Sequence, residues 1–96
     1  MEYYKFSISE AAIKVFNKLD NSIQIQIKEY FKRPELLKNP KVYGEKLRKH
    51  LREYWKYRIG NYRVIANIQD DKLVILMVSI GHRKEVYKKA NRKFKK

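Results

Sequence analysis

Cationic side chains recur at alternate positions on both sides of the dipeptide Gly60-Asn61. Among the six residues before it, apolar side chains occupy every second position and two of the positions between them are cationic. This alternation is typical of a half-buried strand. A Gly-Asn pair between two such runs is a signal for a two-residue hairpin turn. With this turn as the loop, Arg58 is predicted to pair with Arg63, and Lys56 lies two residues along on the same face. We call these three residues the hairpin cations.

Two arginines placed directly opposite each other repel, so the packing of a fold gives no reason for the pair. An anion bound between the two guanidinium groups does give a reason. The alternative is that both side chains are solvated and splay apart on a polar face of the sheet. We favour the anion, because the same face also carries Lys56.

A second basic group is predicted where the last apolar run of the chain ends. The residues that follow Gly81, from about Arg83 to Phe94, have apolar side chains at helical spacing. Arg83 and Tyr87 are four residues apart and share a face of that helix, whose N-terminus offers N–H groups to a phosphate. The alternatives are a surface cation for Arg83 and a helix anchor for Tyr87. With the hairpin cations, the pair predicts a concave basic site with one aromatic ring.

Such a site suits RNA. Cations hold a phosphate and stabilise the extra charge of a pentacoordinate transition state, and a tyrosine stacks on a base. The sequence suggests no pair of carboxylates for Mg²⁺ beside these residues, because Asp70-Asp71 falls in a predicted turn and Glu85 is alone. Any cleavage is therefore expected to be metal-free, through attack of a ribose 2′-OH on the adjacent phosphate.

The net charge of the 96 residues is +14, and it is unevenly distributed. Residues 1–40 have a net charge of +2 and residues 41–96 have +12. Much smaller net charges suffice for solubility, so the charge predicts a polyanionic partner. Nucleic acid is favoured over a membrane surface, because the cations do not lie on one long amphipathic helix. The predicted RNA or ribosome contacts beyond the site are Lys46, Arg48, Lys49, Arg52, Lys84 and Lys88.

The elements that must position these residues follow the order β-α-α-β-β-β-α. The sequence predicts an α+β fold in which an N-terminal strand and an antiparallel αα-hairpin pack on an antiparallel sheet. The sheet contains a C-terminal three-strand meander, with the first strand at an edge, and a short C-terminal helix follows it. Ser7 and Glu10 have the spacing of a capping box, and Pro34 is expected to end the second helix. The segment from Lys38 to about Arg52 is predicted to be a basic loop.

Composition excludes several classes of protein. The chain has no cysteine, so it has no disulfide framework, thiolate zinc site or cysteine nucleophile. Its apolar runs are shorter than the roughly 18 residues of a membrane span, and its first ten residues lack the features of a signal peptide. We therefore expect one domain over residues 1–96, in the cytoplasm, with no metal, no cofactor and no membrane partner.

Four short motifs, K-L-R, W-K-x-R, N-Y-R and G-H-R-x-E-V-Y, lie between Lys46 and Tyr87. With the order of the elements, they resemble the RelE/ParE superfamily of bacterial and archaeal toxins over nearly the whole chain. The resemblance implies a RelE-like fold and a toxin of a type II toxin–antitoxin system, held inactive by a RelB-like antitoxin. In the RelE branch the toxin cuts mRNA in the ribosomal A site without metal, which inhibits translation.

The resemblance also implies a role for each catalytic candidate. Lys56 falls where the family has its general base, and Arg58 falls where a second cation, often lysine, supports it. Arg63 matches the arginine that contacts the phosphate. Arg83 matches the arginine that stabilises the leaving group, and Tyr87 matches the tyrosine that stacks on the substrate.

Three features depart from the family pattern. Arg58 keeps the charge of a lysine but cannot serve as a base. The hairpin loop is shorter than in the family. His82 adds a titratable group beside Arg83, which could act as an acid or a base. We favour the alternative, that His82 is a solvated loop residue.

Two other functions stay open at this point. The ParE branch shares the fold but poisons DNA gyrase, and it generally lacks the full basic set that ends in the tyrosine. A non-catalytic RNA-binding or ribosome-binding module would also explain the charge. Replacing Arg83 or Tyr87 distinguishes the three, because a nuclease loses toxicity while it still folds and binds its antitoxin.

Overall fold

A computed structural model describes residues 2–83 as helices on one face of a five-stranded sheet. The strand order is β1-β5-β4-β3-β2, and β1 runs parallel to β5 while the other neighbours are antiparallel. The elements are β1 (Lys5–Ile8), α1 (Glu10–Phe16), α2 (Asn21–Tyr30), α3 (Pro34–Lys38), α4 (Pro40–Tyr43), β2 (Glu45–Lys46), a 3₁₀ helix (Lys49–Leu51), β3 (Tyr54–Ile59), β4 (Tyr62–Gln69) and β5 (Val74–His82).

The predicted α+β class, the C-terminal meander and the edge position of the first strand are confirmed. The sheet is mixed rather than antiparallel, because β1 joins β5, the last strand, and runs in the same direction. Of the two predicted helices, α1 lies against β5 and α2 approaches β3. The predicted C-terminal helix lies outside the described residues.

Two local predictions were wrong. The helix cap is Ser9 and not Ser7, because the Ser9 hydroxyl accepts a hydrogen bond from the Ala12 N–H at 3.1 Å. Ser7 lies within β1 and is paired with β5. The predicted basic loop contains α4, β2 and the 3₁₀ helix. These elements span two to four residues each, which is too short to produce a recognisable period. Pro34 begins a helix, α3, because a proline is favoured in the first turn.

The main core lies between the helices and the face of the sheet that they cover. Phe31, the residue after α2, stacks on Phe6 of β1, with ring centroids 4.1 Å apart, and meets the ring of Tyr57 edge-on at 5.1 Å. Alternation along β3 and β4 brings their apolar side chains to this face. The buried core consists of Ala12, Phe16, Ile27, Phe31, Leu36, Tyr57, Ile59, Val64, Ala66, Ile75, Met77 and Ile80. Within residues 2–83, no helix is long and apolar enough to cross a membrane.

Tyr57 of β3 connects this core to the segment that precedes the hairpin. Its side chain is fully buried, and its hydroxyl donates a hydrogen bond to the Pro40 carbonyl at 2.6 Å. Burial raises the pKa of Tyr57, with a further contribution from Tyr30, so the hydroxyl keeps its proton and remains a donor. Gly44 lies so close that a Cβ there would be 2.8 Å from the Tyr57 Cζ. The ring therefore fixes where the chain passes from α4 into β2.

A polar junction joins three separate parts of the chain at the end of the sheet opposite the Gly60-Asn61 turn. The Asp70 carboxylate accepts a hydrogen bond from the Tyr4 hydroxyl at 2.6 Å, and Lys41 lies 2.6 Å from its other oxygen. The hydrogen bonds from Lys41 and Tyr4 lower the pKa of Asp70 from its usual value of 3.8. The junction links the start of β1, helix α4 and the turn between β4 and β5.

We expect the substitution Tyr57→Phe to lower the free energy of unfolding by about 1–3 kcal/mol, because it leaves the buried Pro40 carbonyl without its donor. Urea denaturation followed by circular dichroism measures the change. Tyr3→Phe is the matched control, since Tyr3 is 49% exposed, and it should change stability by less than about 0.5 kcal/mol. Equal effects of the two substitutions would contradict the role of the Pro40 bond.

The Asp70 junction predicts a pH dependence of stability. Because the pKa of Asp70 is lower in the folded chain than its usual value of 3.8, its contribution is complete above that value. The contribution is lost as the pH falls through the lowered pKa. We expect Asp70→Asn to be less stable than the unsubstituted chain above about pH 5, with the difference shrinking below about pH 4. Urea denaturation at a series of pH values, from above pH 5 to well below pH 4, tests this, and Asp71→Asn should keep the original profile.

Candidate functional site

The hairpin that carries the cations has the predicted register. Arg58 is paired with Arg63, and Lys56 is paired with Ile65. Tyr57 and Val64, which alternate with these residues, are fully buried on the helix side of the sheet. Since successive side chains of a strand point to opposite faces, the hairpin cations lie together on the face away from the helices.

That face is not polar throughout, which the sequence did not indicate. Ile65 is fully buried, although it does not belong to the main core cluster. The Lys56 side chain, paired across from Ile65, is only 11% exposed. The cationic group therefore borders an apolar floor, where charges are less screened than on an open surface.

Arg63 is held by the turn that it follows. Its Nη1 donates hydrogen bonds to the carbonyls of Gly60 and Tyr62, both at 2.9 Å. A guanidinium group has five N–H donors in a rigid plane, so these two bonds orient the plane while the Nε and Nη2 donors take no part in them. An arginine fixed in this way can present its remaining donors to a phosphate.

The structure adds a residue that sequence reasoning missed. Glu45 of β2 is paired with Lys56 and lies on the same face. Its Oε1 is 3.6 Å from the Lys56 Nζ, and its Oε2 is 4.0 Å from the Arg58 Nη2. A strand of two residues has no detectable alternation, so no pattern in the sequence places this carboxylate among the cations.

Arg83 follows the end of β5 at the same end of the sheet as the turn. Its N–H donates to the Asn61 carbonyl at 2.9 Å, which extends the ladder between β4 and β5 by one residue. Gly81, two residues earlier, is paired with Arg63, so alternation assigns position 83 to the face of the hairpin cations.

His82 lies on the opposite face from Arg63. It is the last residue of β5 and is paired with Tyr62, and the two rings meet edge-on with centroids 6.0 Å apart. The register thus separates this imidazole from the cationic group. The sequence interpretation placed it outside the site, which agrees with this register, although it is a strand residue rather than a loop residue.

One of the basic residues before the hairpin lies on the opposite face from the hairpin cations. Lys46 is paired with Trp55, which packs against the core, so the register assigns Lys46 to the helix side. Arg48, Lys49 and Arg52 are exposed around the 3₁₀ helix. Three further predicted residues, Lys84, Tyr87 and Lys88, lie outside the described residues.

The described part of the site is a set of fixed cations with one carboxylate beside them. Such a set can bind a phosphodiester and stabilise negative charge that develops on it. Among residues 2–83, no three His, Cys, Asp or Glu side chains are grouped so that they could hold a metal ion. The donors described here are therefore nitrogen cations, whose natural ligand is an oxyanion.

A protein-family profile matches most of the chain. The profile of the family described as the ParE toxin of the type II toxin–antitoxin system parDE matches residues 6–87. Among characterised proteins, the mRNA interferase toxin RelE of Escherichia coli is 33% identical over 90 residues, which cover 91% of this chain and 93% of that protein.

Solved structures lead to the same group. The isolated RelE toxin of E. coli has a TM-score of 0.68 with 28% identity, over 96% of this chain and 98% of that one. The toxin in the intact E. coli RelBE toxin–antitoxin complex has a TM-score of 0.66 with 26% identity, over 84% and 96% of the two chains.

The turn that sets the register depends on a glycine. Gly60 has φ +58°, a backbone angle that L residues rarely adopt. Space is not the main restriction, because the atom nearest to a Cβ at this position is the movable Gln26 amide, at 3.3 Å. We expect Gly60→Ala to lower the free energy of unfolding by about 1–2 kcal/mol. Gly60→Asn should cost less, since asparagine tolerates positive φ better. Urea denaturation of both variants checks the order, and equal stability of the two would contradict it.

Proposed function

The chain belongs to the ParE/RelE family of toxins from type II toxin–antitoxin systems, and on this premise we propose that it is an mRNA interferase. It cleaves mRNA in the ribosomal A site and so inhibits translation. The observation that carries this proposal is the cationic group on the face of the sheet away from the helices, in a chain 33% identical to an mRNA interferase toxin over nearly its whole length.

The proposed reaction needs only the RNA, solvent water and the side chains of this protein. The 2′-OH attacks the adjacent phosphorus, the bond to the 5′-oxygen breaks, and the products are a 2′,3′-cyclic phosphate and a 5′-hydroxyl. Lys56 acts as its neutral amine and accepts the proton of the 2′-OH, and Arg58 and Arg63 hold the phosphate and its additional negative charge. Arg83 stabilises the leaving 5′-oxygen, which takes a proton from water to become the 5′-hydroxyl, and Tyr87 stacks on a base of the substrate.

We propose that the cations outside the site bind the ribosome. Ribosomal RNA is a dense polyanion, and residues 41–96 carry a net charge of +12. We assign backbone contacts with RNA to the exposed residues Arg48, Lys49 and Arg52 and to Lys46, Lys84 and Lys88. A ribosomal substrate also places the proposed activity in the cytoplasm.

The partner that controls the activity is a RelB-like antitoxin. Toxins of the same fold have been solved bound to RelB antitoxins, in the intact E. coli RelBE complex and with a RelB peptide. We treat residues 1–96 as a single toxin domain, of which the family profile covers residues 6–87.

One observation favours a second candidate function. The matching family profile is described by ParE, and toxins of the ParE branch act on DNA gyrase. A gyrase poison would cause DNA damage and leave mRNA intact, whereas the interferase cuts mRNA and leaves DNA intact. The two functions are therefore separated by what is broken in cells that produce the toxin.

Programmed ribosomes with a defined mRNA test the proposed nuclease. Primer extension should show cuts confined to the A-site codon and no cuts in naked mRNA. We expect Arg83→Ala to lower the cleavage rate at least 100-fold, the usual scale for loss of a group that stabilises transition-state charge. Lys18→Ala removes the same charge from an exposed position before α2 and should cleave at nearly the original rate.

Two results would overturn the nuclease proposal. If the protein is toxic in cells but does not cut mRNA on the ribosome, the gyrase function replaces it. If Arg83→Ala and Tyr87→Ala both keep full cleavage, the assigned site is wrong. Binding of the antitoxin by each variant shows that the variant is folded.

A further inference from the structure

One carboxylate lies inside the cationic group of the described chain. Glu45 is 3.6 Å from the ammonium nitrogen of Lys56 and 4.0 Å from a guanidinium nitrogen of Arg58. Its two oxygens thus face two different cations. A phosphodiester bound at these cations would present the same charge and two oxygens in the same position.

The backbone of Glu45 is fixed, but its side chain is not enclosed. Gly44 packs against the Tyr57 ring, and Glu45 is paired with Lys56 in the sheet, so the Cα position is set by the core. The side chain itself is 62% exposed. The carboxylate can therefore swing into solvent without opening any packed contact of the fold.

The energies of these ion pairs suit a contact that can be displaced. The Glu45–Arg58 pair joins side chains that are 62% and 68% exposed, and exposed ion pairs contribute little to stability. Lys56 is only 11% exposed, so its pair with Glu45 is the less screened of the two. Both distances exceed those of a direct charge-assisted hydrogen bond, which are about 2.7–2.9 Å. A phosphate that makes shorter bonds to the same cations would replace the carboxylate, provided its local concentration is high.

We propose that Glu45 determines substrate specificity by competing with the RNA phosphate for Lys56 and Arg58. The inference rests on the proposed function, because it assigns this competition to the same site. In the free protein the carboxylate occupies the two cations and lowers the affinity for any loose RNA. On the ribosome the mRNA is held beside the site, its effective concentration is high, and the phosphate displaces the carboxylate.

The test is the affinity of the full-length chain for a single-stranded RNA oligonucleotide with 2′-O-methyl groups, which cannot be cleaved by 2′-OH attack. Fluorescence anisotropy at several salt concentrations gives Kd and its salt dependence. We expect Glu45→Gln to bind about fivefold more tightly. Its slope of log K against log salt should also be steeper, by up to roughly 0.7, as expected for one more phosphate contact.

Glu53→Gln is the matched control, because it removes the same charge from an exposed position just before β3. If competition at the two cations, and not the net charge of the protein, determines the affinity for RNA, this substitution should change Kd less than twofold. Glu45→Asp keeps the charge but shortens the side chain, so its Kd should lie between those of the original chain and Glu45→Gln. Thermal unfolding of each variant checks that the fold is intact.

The outcomes separate this inference from the proposed function. Equal affinities of Glu45→Gln and Glu53→Gln would overturn the competition, even if the original chain cleaves mRNA on programmed ribosomes. Tighter binding by Glu45→Gln alone supports the competition, even if no variant cleaves mRNA and the nuclease proposal fails.

Discussion

The hydrogen bond between the buried Tyr57 hydroxyl and the Pro40 carbonyl connects the core to the candidate site. Tyr57 lies between Lys56 and Arg58, so the residue that fills the core also aims its two neighbours at the opposite face. Its ring leaves room only for a glycine at position 44, which brings Glu45 beside Lys56. One aromatic side chain thus sets both the direction of the cations and the position of the carboxylate.

One face of the sheet mainly stabilises the fold, and the other carries the residues of the candidate site. The helix face buries apolar side chains, which provide most of the favourable free energy of folding. The other face can therefore tolerate an Arg58–Arg63 pair whose like charges repel. Arg63 is further restrained by the turn carbonyls of Gly60 and Tyr62, so it is oriented before any ligand arrives. Such preorganisation lowers the entropy lost when an anion binds.

The carboxylate of Glu45 lowers the affinity that the cations of the site would otherwise have for any polyanion. A group of cations alone would attract every polyanion, and a chain with a net charge of +14 would bind RNA with little discrimination. A weakly held internal anion raises the concentration of phosphate needed for binding. The same group of residues can then be strongly basic and still favour a substrate that is delivered to it.

The sequence by itself determined the hairpin register, the face shared by Lys56, Arg58 and Arg63, and the α+β class. These depend on local rules: a Gly-Asn turn fixes which residues pair, and an alternation of two fixes which side chains share a face. Only the tertiary structure decided the parallel pairing of β1 with β5, the separation of His82 from Arg63, and the place of Glu45. Each of these depends on contacts between residues far apart in the chain or on an element too short to have a period. Neither kind of information is contained in local spacing.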